Sequence, residues 1–367
     1  MRTIKTEALE GKQFLHNYTL PALTALMKDF GLQAFRAEQI FRSLTAGGAS
    51  SFDELTTLPA SLRAQLADLF IITPVTVETT QRSADGTIKF LFSLMDGAKI
   101  ESVLIPSEMV IEEGKPKRLT LCISTQAGCP LGCSFCATAT LKLRRNLETA
   151  EIVGQLLAAQ RFSELPITNV VFMGMGEPML NYENVMRAVE IFTHEKSGLL
   201  SHRRITLSTA GVAEGIYRMA DENQKIKLAL SLHATTNGDR KKLMPIANKH
   251  SLEDLGNALE YYYRKTKNPV TYEYILFDGI NDSELDVRRL KKIAARVPSK
   301  VNVIPFHEIE FTNPTGIAAT LKPAPKDRFF LFLKRLKEEG VHVMVRSSSG
   351  LDIDAACGQL AFSNAHQ

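Results

Sequence analysis

The stretch LTLCISTQAGCPLGCSFC, residues 119–136, runs an apolar segment into a loop that holds three cysteines. LTLCIST reads as a strand, and the loop begins where it ends. The same grammar repeats downstream. LETAEIVGQLLAAQRF (147–162) reads as a helix, ITNVVFMG (167–174) as a strand, NYENVMRAVEIFTHE (181–195) as a helix and RRITLST (203–209) as a strand. KIKLALSLHA, VTYEYILF and KVNVIPFHE continue the strands, with SLEDLGNALEYYYRK and SELDVRRLKKIAARV as helices between them; FFLFLKRLKEEG and VHVMVRS close the series. Near-continuous apolar strands alternating with amphipathic helices predict a parallel sheet covered by helices. About six such units fit a partial (β/α)6 barrel, in which chemistry collects at the C-terminal ends of strands. CPLGCSFC (129–136), GMGEP (174–178), LST (207–209) and SLHA (231–234) all fall at such ends.

Upstream the pattern changes. LPALTALMKDFG, RAEQIFRSLTAG, SFDELTTL and PASLRAQLADLF carry apolar residues at helical spacing, with Ser51 or Asp53 as cap and Pro59 at a first turn. VTVETTQRSADGTIKFLFSL and AKIESVLIP alternate and are β-branched, with Asp85-Gly86 as a hairpin turn, and EEGKPKR (112–118) follows as a charged loop. The expected organisation is a small helical domain (1–72), a β extension (73–114), the barrel (115–350) and a C-terminal segment (351–367).

Of 367 residues, 44% are hydrophobic and 23% charged, which excludes a disordered or fibrous chain. No window holds the roughly 20 uninterrupted apolar residues of a membrane span, and MRTIKTEALEGK lacks a signal peptide's apolar stretch, so a cytoplasmic protein without membrane contact is expected. The net charge of +4 is compatible with a polyanionic partner without demonstrating one.

Cys122, Cys129, Cys133, Cys136 and Cys357 are an odd set, which argues against a disulfide scaffold. Three thiolates in one short loop can wrap a soft metal. Structural zinc needs a fourth ligand, and His202 and His233 stand singly on later elements. A cubane iron–sulfur cluster on three cysteines leaves one iron open for a ligand. Both readings stand on the residues alone. The other features have everyday readings as well: a Gly-Glu-Pro loop is usually a tight turn, a Ser at a strand end caps a helix, and a lone His or Cys packs in the core.

Cx3Cx2C with Phe135 before the last Cys resembles the radical S-adenosylmethionine (radical SAM) signature. Glu101 in KIESVLIP, Cys122 in LCISTQAGC, then CPLGCSFCATA, GMGEP, LST, SLHA and Cys357 in DIDAACGQL occur in one order. Across residues 95–361 this resembles the RlmN/Cfr family of radical SAM RNA methyltransferases, and FRAEQIFRSL with FDELTTLPASLR is similar to that family's RNA-binding appendage. The resemblance implies a 4Fe-4S cluster on Cys129, Cys133 and Cys136, with SAM on the open iron. Gly176, Glu177, Ser208, Ser231, Leu232 and His233 match the family's SAM contacts, and His307 stands where relatives carry Asn.

The implied chemistry suits an electron-poor carbon. Carbon 2 of adenine is no nucleophile, so a polar methyl transfer to it fails. The resemblance implies that one SAM methylates Cys357 at sulfur and a second yields a deoxyadenosyl radical, two per turnover. The methylene radical formed on Cys357 adds to adenine, Glu101 or else Cys122 itself accepts the ring proton, with Glu101 the family's acceptor, and Cys122 attacks Cys357 to form a disulfide as product leaves. Implied partners are 23S rRNA at the peptidyl-transferase centre, tRNA at the adenosine 3′ of the anticodon, and a flavodoxin or ferredoxin as electron donor, with the enzyme a monomer. The basic residues Lys142, Arg144, Arg145, Arg203, Arg204 and Arg240 to Lys242 are expected to face phosphate or solvent. The alternatives are carbon-8 methylation of the same adenosine, as in Cfr, and a non-catalytic iron–sulfur or zinc protein that binds RNA.

Overall fold

The computed structural model describes residues 11–107, 118–345 and 349–361. The charged loop expected at 112–118 lies outside them except for Arg118. The chain opens with Gln13–Phe14 (β1), the helices Leu20–Asp29 (α1), Ala34–Leu44 (α2) and Ala60–Leu69 (α3), and Phe70–Ile71 (β2), which pairs parallel with β1. FDELTTL forms a single 3-10 turn, Phe52–Glu54, and Pro59 stands just ahead of α3 as its N-cap. So short a segment between two helices cannot sustain a further stable helix.

A ten-stranded sheet forms the body. Val75–Arg82 (β3), Ile88–Leu94 (β4) and Lys99–Pro106 (β5) are antiparallel, and the expected turn at Asp85-Gly86 is present, with Gly86 at φ +85°. Leu119–Cys122 (β6) joins this extension to the parallel strands. Gln126–Ala127 (β7) and Arg145–Asn146 (β8) form a separate antiparallel pair. Asn169–Phe172 (β9), Ile205–Thr209 (β10), Lys227–Ser231 (β11), Val270–Leu276 (β12), Ser299–Pro305 (β13) and Val343–Val345 (β14) follow. The order across the sheet is β14-β13-β12-β11-β10-β9-β6-β5-β4-β3, parallel from β14 to β6. Six long βα units are thus present, and the short β14 adds a seventh parallel strand at the far edge.

The connecting helices are Thr149–Gln160 (α4), Tyr182–Thr193 (α5), Ala213–Asp221 (α6), Asn237–Leu243 (α7), Leu252–Thr266 (α8), Glu284–Ala294 (α9) and Lys326–Glu338 (α10). Capping boxes at Glu148/Glu151, Ser251/Asp254 and Ser283/Asp286 fix the starts of α4, α8 and α9. One hydrophobic core runs from the N-terminal helices through the sheet. A second, smaller core sits at the C-terminal strand ends around Phe135, Phe277 and Phe306. Among the described residues, no helix is long and apolar enough to cross a membrane.

Candidate active site

The cysteine loop is pinched off where β7 pairs with β8. Gly128 makes that possible. At φ +82° it passes so close to the returning chain that a Cβ would lie 2.3 Å from the Lys142 carbonyl oxygen. The Cys129 amide donates to Leu141 O (3.2 Å) and the Ser134 amide to Leu243 O (2.9 Å). Phe135 is the anchor. It is buried, its ring 4.7 Å from the His233 ring and 5.8 Å from Phe277, so the loop is seated on the core at the strand ends. Cys129, Cys133 and Cys136 are left half-exposed as free thiols.

Burial pushes the Cys129 thiol up to about 12 and raises Cys133 and Cys136 as well; charge on the neighbouring cysteines and on Glu177 works in the same direction at Cys129 and Cys133. Three thiolates crowded this way need a cation among them. The donor set therefore fits a positively charged iron core, which deprotonates its thiol ligands outright. Among the described residues no three His, Cys, Asp or Glu groups converge as a site for a single ion. A cubane instead takes each cysteine on a separate iron.

The C-terminal segment returns to this loop. The Ala137 amide donates to Gly358 O (2.7 Å) and Thr138 Oγ1 to Leu360 O (2.6 Å). Exposed Cys357 is close enough to Cys136 to raise its thiol electrostatically. Gln359 Nε2 donates to Glu308 O (3.3 Å), next to half-buried His307 beyond β13.

The GMGEP turn crosses over β6. Ile123 O accepts from the Gly174 amide (3.1 Å), the Thr125 amide donates to Met175 O (2.8 Å), and Gly176 has φ +98°. Glu177 accepts from the Met179 amide on Oε1 (3.0 Å) and from the Ala210 amide on Oε2 (2.7 Å), which aims the carboxylate and ties the second parallel strand to the third. Burial raises it to about 7 against those hydrogen bonds. Ser208 and Ser231 face each other with hydroxyls 3.5 Å apart. Leu232 is buried and donates its amide to Glu273 O (3.0 Å). His233 adopts φ +53°, unusual for a bulky residue, and its Nδ1 accepts from the Ile275 amide (3.0 Å). Burial, with Arg240 nearby, lowers it to about 3, so it is a neutral imidazole.

Cys122 ends β6 opposite Val103 as a buried thiol outside any disulfide. Glu101 lies on β5 beside it. Its amide contacts Met175 Sδ (3.3 Å), its carbonyl accepts from Ser124 Oγ (2.6 Å), and its carboxylate lies 3.7 Å from Lys89 Nζ.

Residues 123–290 match the family model described as the radical SAM superfamily, and residues 14–72 match the ribosomal RNA large subunit methyltransferase N-terminal domain. A probable dual-specificity RNA methyltransferase RlmN of Flavobacterium johnsoniae is 44% identical over 90% of this chain and 91% of its own. One of Thermus thermophilus is 42% identical over 93% of each. The crystal structure of a radical SAM methyltransferase from Sphaerobacter thermophilus superposes with a TM-score of 0.86 at 39% identity, over 95% of this chain and 99% of that one. The chain belongs to the RlmN family of radical SAM methyltransferases.

Within this RlmN-family chain the basic residues divide in a way the sequence did not reveal. Arg240 is fully buried, against the expectation that it faces phosphate or solvent. Its guanidinium donates to Ala210 O (2.6 Å), Ser231 O (3.2 Å) and Leu232 O (3.3 Å), stitching the ends of β10 and β11. Arg145 is engaged by Glu151 (2.7 Å) and Asp96 (2.9 Å), and Arg144 donates to Asp96 O (2.6 Å). Lys142, Arg203, Arg204, Lys241 and Lys242 are exposed. Lys89 was missed altogether. In IKFLFSL it alternates with Ile88 and Phe90, as a solvent-facing lysine would, yet it is buried.

Proposed function

We propose that this protein methylates carbon 2 of an adenosine in the peptidyl-transferase centre of 23S rRNA and of the adenosine 3′ of the anticodon in some tRNAs, through an S-methylated Cys357. Membership of the RlmN family supports the reaction class. One observation supports the covalent route above the others: the Cys357 segment is hydrogen-bonded onto the loop of Cys129, Cys133 and Cys136 from the far end of the chain, 222 residues apart at Thr138 and Leu360.

In this reading Cys129, Cys133 and Cys136 hold the 4Fe-4S cluster. Gly176, Glu177, Ser208, Ser231, Leu232, His233 and His307 surround SAM. When bound, cluster and SAM supply a methyl group and, from a second SAM with an electron from a flavodoxin or ferredoxin, a carbon-centred radical. Cys357 takes the methyl on Sγ, since a thiolate is a competent nucleophile. It then loses a hydrogen from that methyl and bonds through the carbon to adenine. Glu101 takes the ring proton. Cys122 attacks Sγ of Cys357 and breaks its bond to the added carbon, which takes a proton to become the methyl group; the disulfide stays on the enzyme, the methylated RNA leaves, and the cluster, when bound, would take back the one surplus electron. The target base leaves its stack to reach the site. The protein acts as a monomer in the cytoplasm.

The test is anaerobic reconstitution followed by assay on rRNA and tRNA, with the product nucleoside resolved by mass spectrometry against 2-methyl and 8-methyl standards. 2-Methyladenosine is expected. The 8-methyl isomer would make this a Cfr-type enzyme, and no methylated product with a full iron and sulfide complement would reject an enzymatic role.

A further inference from the structure

We propose that Lys89 is a positioning residue that holds the Glu101 carboxylate and the Cys357 segment in one fixed arrangement, with its ammonium bridging the two. The inference rests on the reading that Glu101 and Cys357 serve one reaction. Lys89 lies on β4 opposite Val103, so it sits diagonally across from Glu101 on the same face of the sheet. Its Nζ is 3.7 Å from Glu101 Oε1, with both side chains almost wholly enclosed at 4% and 3% exposure. The same Nζ donates to Asp354 O at 3.3 Å, just ahead of Cys357 in the chain.

Burying a lysine is costly, and an apolar side chain of similar volume fills such a space more cheaply. What the apolar side chain lacks is the link. Other ties join the same segment to the β extension. Gly350 N donates to Asp85 Oδ2 (2.8 Å) and Ala84 N to Asp352 Oδ2 (3.3 Å), both at the turn between β3 and β4. The β3–β4 hairpin is thus the dock for the C-terminal segment, and the Lys89 tie also reaches the proposed proton acceptor. Of these ties, the Lys89 ammonium is the one that joins the proposed base directly to the segment carrying the sulfur. Small misplacements of reacting groups cost large factors in rate, so this bridge bears on turnover more than on RNA binding.

The test compares K89M, K89R, E101Q and K89M/E101Q in the full-length, cluster-loaded protein. It measures amide hydrogen exchange of the peptide covering 349–361 alongside kcat and KM for RNA. K89M is expected to speed exchange there about tenfold or more, the loss of a charge-assisted hydrogen bond, while the parallel strands keep wild-type rates. It lowers kcat about tenfold or more and leaves the RNA KM within about threefold. K89R restores both in large part. E101Q keeps slow exchange at 349–361 because the bond to Asp354 persists. K89M/E101Q, which buries no uncompensated charge, still exchanges fast there. Wild-type exchange at 349–361 in K89M, or an unchanged kcat, overturns the proposal. So does acceleration spread evenly over the molecule, which marks simple loss of stability. If the wild-type protein methylates no adenosine, the function reading fails by itself and the exchange results still decide whether the bridge exists.

Discussion

At the scale of residues, chemistry is set by neighbours that sequence distance hides. Cys357 in DIDAACGQL carries no chemical signal of its own; motif order singled it out, and the structure brings its neighbours Gly358 and Leu360 onto Ala137 and Thr138. Cys357→Ala is expected to abolish methylation while RNA binding by gel shift stays within about twofold, since a single exposed side chain changes. Methylation that survives would reject the covalent route. Arg240 makes the opposite point. In GDRKKL it reads as part of a charge run, but its guanidinium serves three carbonyls at two strand ends. Arg240→Met is therefore expected to cost about 3 kcal/mol in urea unfolding by stranding those acceptors. A cost below about 0.5 kcal/mol, typical of a surface change, would contradict that bonding.

Among the elements, the long strands and helices were legible because their periodicity is strong, and α4, α5, α8 and α9 start within about two residues of the segments read from sequence. The short pieces were not. FDELTTL has helical spacing but gains only one 3-10 turn, because its ends are fixed by the neighbouring helices. The turn Leu15–Asn17 carries a property that spacing cannot show. Its His16 is enclosed between the end of α2 and the residues after β2, and burial lowers the imidazole from 6.5 to about 4, against the pull of the backbone at Leu44 and Ile72. A lowered folded value means the fold holds neutral histidine. That contribution is complete above pH 6.5 and is lost as pH falls toward 4. By linkage the N-terminal unit loses about 2 kcal/mol between about pH 7 and pH 5. Tryptic cleavage within residues 11–72 should accelerate over that interval, corrected for the enzyme's own pH response, and His16→Leu should flatten the dependence. Equal pH sensitivity in the variant would show that another group is responsible.

For the molecule as a whole, the three cysteines proposed to hold the cluster lie within the barrel's first loop, whereas the methyl-accepting cysteine of the proposed route arrives from the far end of the chain. A chain truncated after Ser349 is expected to keep its circular dichroism and bind close to a full iron complement, because the parallel sheet ends at β14. It is expected to lose methylation entirely. Loss of iron binding on truncation would mean that the C-terminal segment builds the cluster site as well. The sequence by itself determined the alternation of strand and helix, the placing of motifs at strand ends and the family, because these depend on local periodicity and on residue order. Only the tertiary structure decided that Lys89 and Arg240 are buried and that the Cys357 segment docks on the β3–β4 hairpin. Burial and pairing of charge depend on what packs against a side chain from elsewhere in the chain, and a one-dimensional pattern shows a lysine facing water and a lysine facing a carboxylate in the same way.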